Sequence, residues 1–229
     1  MRVLGLIPAR GGSKAIPNKN IVDLCGRPLL AWTTAAAALS ELDRVVVSTD
    51  SDEIATVARQ LGVEVPFLRP RSLAADNSRS IDVVLHALEQ LGDIPDAVML
   101  LQPTSPLRTT DDINACLQLM TAESPDSVIS VVAVSQHPEQ VKTLENGRLI
   151  PTAFSAAEGT PRQELPQYVI PNGAVFLTRS DILTSRSFYG EDSIGWEMPA
   201  ERSLNIDDPF DLEVARCFAA RTPWGSGGS

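Results

Sequence analysis

Three observations predict an α/β fold with a single doubly wound, mainly parallel sheet. Strand-like runs alternate with helix-period segments, one run is apolar at every position, and the polar motifs fall just after the strand-like runs. Strands joined through helices imply right-handed crossovers and a ligand crevice outside the carboxyl ends of the strands. The chain has 229 residues, 43% of them apolar, enough for one substantial core. Residues 1–221 are read as one domain and 222–229 as a flexible tail of glycine and serine.

Residues 3–8 (VLGLIP) open as a strand, and 29–39 (LLAWTTAAAAL) follow as a helix. A second strand is expected at 44–49. The helix over 51–61 has Ile54, Val57, Ala58 and Leu61 on one face, and 80–91 repeats the pattern. AVMLL at 97–101 has the composition of a buried central strand. A helix over 110–121 starts at Asp111 or a neighbouring cap, and a strand over 127–134 follows. From about 135 to 171 the periodicity lapses into a proline- and charge-rich stretch, longer than ordinary connections. Such a stretch is functional, a protruding subunit contact, or disordered. Strand character resumes over 172–177, and Asp207 or Asp208 before Pro209 starts a helix over 210–220.

Charge narrows the function. Residues 1–27 carry five Lys/Arg against Asp23 alone, a net +4, so the remainder is −14 within a total of −10. An acidic body with cations gathered at one loop concentrates a polyanionic ligand at a point. It lacks the extended basic surface that nucleic acid requires. Three widely spaced cysteines suggest reduced thiols, with neither a disulfide framework nor a zinc site. The start lacks a charged leader, and no apolar run approaches the roughly 20 residues of a membrane helix. A cytoplasmic location away from membranes is expected.

The loop ARGGSKAIPNKN places Arg10, Gly12, Ser13, Lys14 and Lys19 directly after the first strand, the combination of glycines, hydroxyl and cations that binds phosphate. It has neither the G-x-x-x-x-G-K-[ST] spacing nor G-x-G-x-x-G, so it belongs to another nucleotide fold. The second and third strand ends carry Ser48-Thr49-Asp50 and Gln102-Pro103-Thr104-Ser105-Pro106. His86 lies beside apolar helix positions and His137 in the irregular stretch, which suits structural or solvated roles.

IPARGGSKAIPNKNI, VVVSTDSDEIA, FLRPRSLAADNSRSID, LLQPTSPLRTTDDI, TPRQELPQYVIPNGAVFL and NIDDPFDLEVA occur in this order. Together they resemble the N-acylneuraminate cytidylyltransferases, or CMP-sialic acid synthetases, with the related CMP-legionaminic acid synthetases. The likeness runs over about residues 3–218. It implies a nucleotidyltransferase domain that transfers CMP from CTP to the anomeric hydroxyl of a nonulosonic acid and releases pyrophosphate. It further implies Mg²⁺ and a homodimer built on the 135–171 segment. In-line attack at the α-phosphorus needs charge neutralisation and positioning rather than covalent work.

By the family pattern Arg10 and Lys19 act on the triphosphate with Lys14 close by, and Asn20 contacts the nucleotide. Turn chemistry after Pro17 is the other reading of Lys19 and Asn20. Arg69 and Ser80 match positions that meet the cytosine, although Ser80, Asp76 or Ser78 could instead cap the helix that follows. Gln102 is implied for the sugar, with Thr104 and Ser105 beside it in a turn held by two prolines. Lys142, Arg162, Gln163 and Asn172 complete the implied sugar site, and an arginine fork suits a carboxylate. The position two before Asn172 is commonly Arg in sialic acid enzymes and is Ile170 here, which bears on the choice of sugar. Asp207, with Asn205 in an Asn-x-Asp pattern, is the expected Mg²⁺ ligand; Asp207 as a helix cap is the alternative. Metal-assisted deprotonation of the sugar hydroxyl is expected, because no triad or obvious base is present. The competing class is a non-catalytic CTP-binding module.

Overall fold

The structure is a computed structural model, which describes residues 1–152 and 166–221. Its centre is a six-stranded sheet. In chain order the strands are β1 (Val3–Pro8), β4 (Arg44–Ser48), β5 (Ala97–Leu100), β6 (Ser127–Ala133), β9 (Val169–Arg179) and β10 (Ser193–Glu197). Two small hairpins account for the other numbers: β2 (Asp23–Leu24) with β3 (Arg27–Pro28), and β7 (Lys142–Glu145) with β8 (Arg148–Pro151). The sheet order is β10-β6-β9-β5-β1-β4. β1 pairs in parallel with β4 and β5, and β10 with β6, while β9 runs antiparallel between β5 and β6. The mainly parallel sheet expected from the alternation is therefore present, with one reversed strand inside it.

Helices cover both faces, which is why the strands read as continuous apolar runs. Val3 and Ile7 of β1 join Met99 and Val47 in a core beneath α1 (Leu29–Ala38), α2 (Asp52–Gln60) and α4 (Thr110–Glu123). Leu4 and Leu6 point the other way, packing with Val46, Val98 and Leu100 against Ile81, Val84 and Ala87 of α3 (Ser80–Leu91). The alternation is the period-two pleat of a strand buried on both sides. α1 is buried on nearly every side, because Leu29 and Trp32 on its far face meet Leu212 and Ala215 of α6 (Pro209–Ala219). Its alanines Ala36 and Ala37 face the sheet-side core instead.

Helix starts follow local chemistry. Ser51 caps α2 by accepting from the Ile54 amide. Thr109, not Asp111, caps α4 in a reciprocal box with Asp112, and Asp208 with Asp211 does the same for α6, with Pro209 at its first turn. Asp207 is thereby released from capping. A short helix, α5 (Ser180–Leu183), follows β9. The three cysteines are free thiols, and no helix among the described residues is long and apolar enough to cross a membrane.

The stretch expected to be irregular contains the β7–β8 hairpin, whose register runs Lys142 with Pro151 to Glu145 with Arg148. Its turn is Asn146-Gly147, both at positive φ, the dipeptide that two-residue hairpin turns favour. Its strands are exposed on every residue, so they lack the apolar alternation that reveals a half-buried strand. β10 and the β2–β3 hairpin went unread for a related reason, being an edge strand with one glycine and two-residue ladders. The tail at 222–229 lies outside the described residues.

Candidate active site

The carboxyl ends of β4, β1 and β5 lie side by side, so the three polar strand ends face one cleft. The cleft has a volume of about 270 Å³, and its walls include Arg10, Ser13, Lys19, Asn20, Arg69, Ser80, Gln102 and Thr104. The loop after β1 passes into a short 3₁₀ turn (Lys19–Ile21) and the β2–β3 hairpin before α1 begins. Its anion-attracting power therefore comes from side-chain cations and exposed amides rather than an α-helix N-terminus.

Asp50, at the end of β4, holds this loop. Its Oδ1 accepts from the Gly11 amide at 2.9 Å and lies 4.0 Å from Arg69 Nη2. Buried Asn20 donates through Nδ2 to the Arg10 carbonyl at 2.8 Å, bracing the loop from the other side. Gly12 stands exposed with open space where a side chain would extend. Arg10 and Lys14 both pair with Asp76, at 2.8 and 2.6 Å. Lys14 and Arg10 together hold the Asp76 carboxyl below the usual carboxylate range.

Lys19 is the most enclosed of the loop cations, with its side chain 15% exposed. Its Nζ donates to the Ile206 carbonyl at 2.9 Å and lies 3.9 Å from Asp207 Oδ1. The Ile206 amide in turn donates to the Thr104 carbonyl at 2.7 Å. The Asn205-Ile206-Asp207 segment is thus strung between the first loop and the turn after β5. Burial pushes the Lys19 pKa down, nearby Asp207 partly offsets this, and Arg10 lowers it further.

At the other end of the cleft Arg69 is buried, with its backbone amide on the Thr49 carbonyl and no partner for its Nε among the described residues. Leu73 and Val83 supply apolar walls beside it. None of the possible side-chain caps acts on α3: Asp76 is with Arg10 and Lys14, Ser78 Oγ donates to the Ser72 carbonyl, and no side chain caps the helix. Ser80 is instead a wall residue. A flat heterocycle with donor and acceptor edges suits this mixture.

The sugar-side residues divide. Gln102 and Thr104 line the cleft, whereas Ser105 is fully buried and its Oγ lies within hydrogen-bond reach of the Asn172 carbonyl at 3.3 Å and Asn205 Oδ1 at 3.5 Å. Asn172 is buried as well, and both ends of its amide are engaged. Oδ1 accepts from Ser130 and the Ala174 amide, and Nδ2 donates to Ser203 at 2.9 Å. Asn172 therefore shapes the turn and does not offer its amide to the cleft. Asn205 Nδ2 donates to Asp207 Oδ2 at 2.9 Å, so Asn205 orients that carboxylate. Asp207 remains 75% exposed in its side chain. No group of three or more His, Cys, Asp or Glu placed to hold a metal ion occurs among the described residues. A single hard-oxygen carboxylate beside the cations suits an ion that keeps waters and phosphate oxygens, as Mg²⁺ does.

A family model described as cytidylyltransferase matches residues 4–158. The chain belongs to the cytidylyltransferase family. This cytidylyltransferase is 38% identical to the CMP-N,N'-diacetyllegionaminic acid synthase of Legionella pneumophila, covering 92% of this chain and 93% of that one. It is 35% identical to the N-acylneuraminate cytidylyltransferase of Escherichia coli over 93% of its own length, but spans only 51% of that relative. Among solved structures, CMP:2-keto-3-deoxy-manno-octonic acid synthetase complexed with CTP aligns with a TM-score of 0.74 at 18% identity, covering 96% and 99% of the two chains. That likeness establishes the shared fold.

Some expected residues of the cytidylyltransferase lie elsewhere. Arg162 and Gln163 fall outside the described residues. Lys142 opens β7, exposed on the hairpin and absent from the described cleft walls. Ile170 is 52% exposed on β9 and is likewise not a wall residue. His86 packs edge-on against Phe67, and His137 against Tyr168.

The roles of four residues were not legible in the sequence: Asp50, there only a polar strand end, Asp76, there only a possible cap, and Gly173 and Arg108. Asp50 and Asp76 act through partners far along the chain. Gly173 has φ +79°, and a Cβ there would lie 2.7 Å from Gln102 Oε1. The Asn-Gly pair was a signal for this turn. Gly173→Ala is expected to cost about 1–2 kcal/mol from the left-handed backbone alone and to displace the Gln102 amide. Urea unfolding measures the first effect; unchanged stability would mean that the turn relaxes freely.

Proposed function

We propose that this cytidylyltransferase transfers CMP from CTP to the anomeric hydroxyl of a nonulosonic acid, releasing pyrophosphate, as a Mg²⁺-dependent cytoplasmic homodimer. The observation that carries the reading is that Lys19, which lines one cleft with Arg10, Arg69 and Gln102, has Asp207 3.9 Å from its ammonium. A triphosphate laid along Arg10, Lys14 and Lys19 has its leaving charge matched by cations, and its base reaches Arg69 and Ser80 between Leu73 and Val83. Gln102 and Thr104 are then left for the sugar acid. Holding both substrates in line accounts for most of the rate such a site must supply. Asp207 would hold Mg²⁺, oriented by Asn205; the bound ion would neutralise phosphate charge and acidify the attacking hydroxyl.

N-acylneuraminate and diacetyllegionaminate are the leading sugars, after the names of the relatives. Pyrophosphate release with CTP and Mg²⁺ across N-acetylneuraminate, legionaminate, pseudaminate and the eight-carbon acid tests the reading; no release with any of them defeats it. The dimer is supported by an exposed apolar set, Leu144 and Leu149 on the hairpin with Val169 and Ile170 on β9. Light scattering should give twice the chain mass, and a monomer at micromolar concentration would remove it.

Asp76 occupies Arg10 and Lys14 with a carboxylate where phosphate oxygens would lie, so CTP must exchange with it. Asp76→Asn is expected to lower the KM for CTP several-fold with kcat kept. A raised KM would mean that Asp76 organises the loop rather than competing for it.

A further inference from the structure

We propose that Arg108 is a positioning residue: its guanidinium, held between the carbonyls that follow β5 and begin the core of β9, sets how Gln102 is presented to the sugar acid. This rests on the reading of Gln102 as a sugar contact given above.

Arg108 is 2% exposed. Its Nη1 donates to the Ala174 carbonyl at 2.7 Å and reaches the Gln102 carbonyl at 3.4 Å. Its Nε and Nη2 have no partner among the described residues. Asp112, the acid nearest in effect, is committed elsewhere: Arg202 donates to it at 2.8 and 3.1 Å, and the Thr109 amide and hydroxyl take the rest. Burial pushes the Arg108 pKa down to about 10, opposed by Asp112, so the group keeps its charge at neutrality.

A buried cation with three of its five N–H donors unused is a poor way to stabilise a core. Desolvation of a guanidinium is costly, and an apolar side chain of similar volume often serves stability as well or better. Costs of this kind persist in native structures where function requires the geometry.

The geometry that Arg108 imposes is specific. The carbonyls of Gln102 and Ala174 belong to neighbouring antiparallel segments, and between Asn172 and Ala174 stands Gly173, whose missing side chain is the space that Gln102 Oε1 occupies. The spacing of the two segments therefore decides where the Gln102 amide lies. Ser105 on the same turn reaches Asn205, which holds Asp207, so a shift here also bears on the carboxylate. Displacements near 1 Å at such a contact cost rate far out of proportion to their effect on folding.

The test compares Arg108→Met and Arg108→Lys with the parent chain. Arg108→Met should melt at the same temperature or higher and keep its KM for CTP. Its KM for the sugar acid should rise, or its kcat fall, by about tenfold or more. Arg108→Lys, which can reach one carbonyl, should recover part of the loss. Amide exchange should quicken at Gln102, Thr104 and Ser105 and at 173–175 in the Met variant. Normal sugar-acid kinetics with unchanged exchange would overturn the proposal, as would parallel loss of melting temperature and of both substrates' parameters. Should Arg108→Met fail to fold, the proposal requires Arg108→Lys to fold and show the same split between the two substrates. Should the parent chain turn over no sugar acid, the proposed function fails; unchanged exchange in the variant would separately defeat the positioning role.

Discussion

Lys19→Ala is expected to lower kcat/KM for CTP by about 10²- to 10³-fold, the scale of removing one preorganised charge contact from a transition state. Its melting temperature should change little. Its side chain makes one hydrogen bond among the described residues, to the Ile206 carbonyl, and its neighbours in the loop are held independently by Asp50 and Asn20. Its energetic position suits catalysis more than stability: desolvation already disfavours its charge, so the site gains most when a polyanion arrives to compensate. The same fact sets a pH signature. Because the pKa of Lys19 in the free enzyme lies below the ordinary lysine range, kcat/KM for CTP should begin to fall at lower pH than an unperturbed lysine would dictate. Triphosphate binding favours the protonated form, so kcat should hold to higher pH. The alanine variant should lose that alkaline limb. A variant with parental kcat/KM, or one that loses folding and activity in step, would remove Lys19 from the site.

Asp207→Asn is expected to cost about 10²-fold or more in turnover, since on the proposed role the carboxylate that would hold Mg²⁺ loses its charge. The Mg²⁺ concentration needed for half-maximal rate should rise with it. Folding should survive, because Asp208 and Asp211, not Asp207, form the box that starts α6. The paired control is Asp208→Ala, which should lose about 0.5–2 kcal/mol of stability and keep its Mg²⁺ dependence. Reversal of that pattern, with Asp207→Asn unstable and active, would assign the two aspartates the other way round. The experiment separates two neighbouring carboxylates that the one-dimensional pattern leaves exchangeable.

The contrast between those aspartates shows where sequence reasoning succeeds. Strands and helices buried on an apolar face are written into local periodicity, and α3 and β1 run over the residues that their patterns indicate. The β7–β8 hairpin is not, because strands exposed on every residue carry no burial pattern; only Asn146-Gly147 marked it. The cationic loop was legible since its residues are neighbours in the chain. The carboxylate that braces it, Asp50, and the one that occupies it, Asp76, were not, because both contacts are made across loops that only the sheet order brings together. Ser80 shows the opposite limit: its hydroxyl suits a cap or a ligand equally, and the partners taken by Asp76 and Ser78 say nothing for either until the cleft is seen.

By itself the amino-acid order determined the α/β class, the succession of the buried strands and helices, and the gathering of Arg10, Lys14 and Lys19 after the first strand. Burial periodicity and turn chemistry are properties of short windows. The tertiary structure alone decided that β9 reverses direction inside the sheet and that Asp207 rather than Asp208 faces Lys19. It alone gave Asn172 an inward amide, and lodged Arg108 behind Gln102. Each of these depends on which distant segments become neighbours, and direction, hydrogen-bond partner and desolvation are all set by those neighbours.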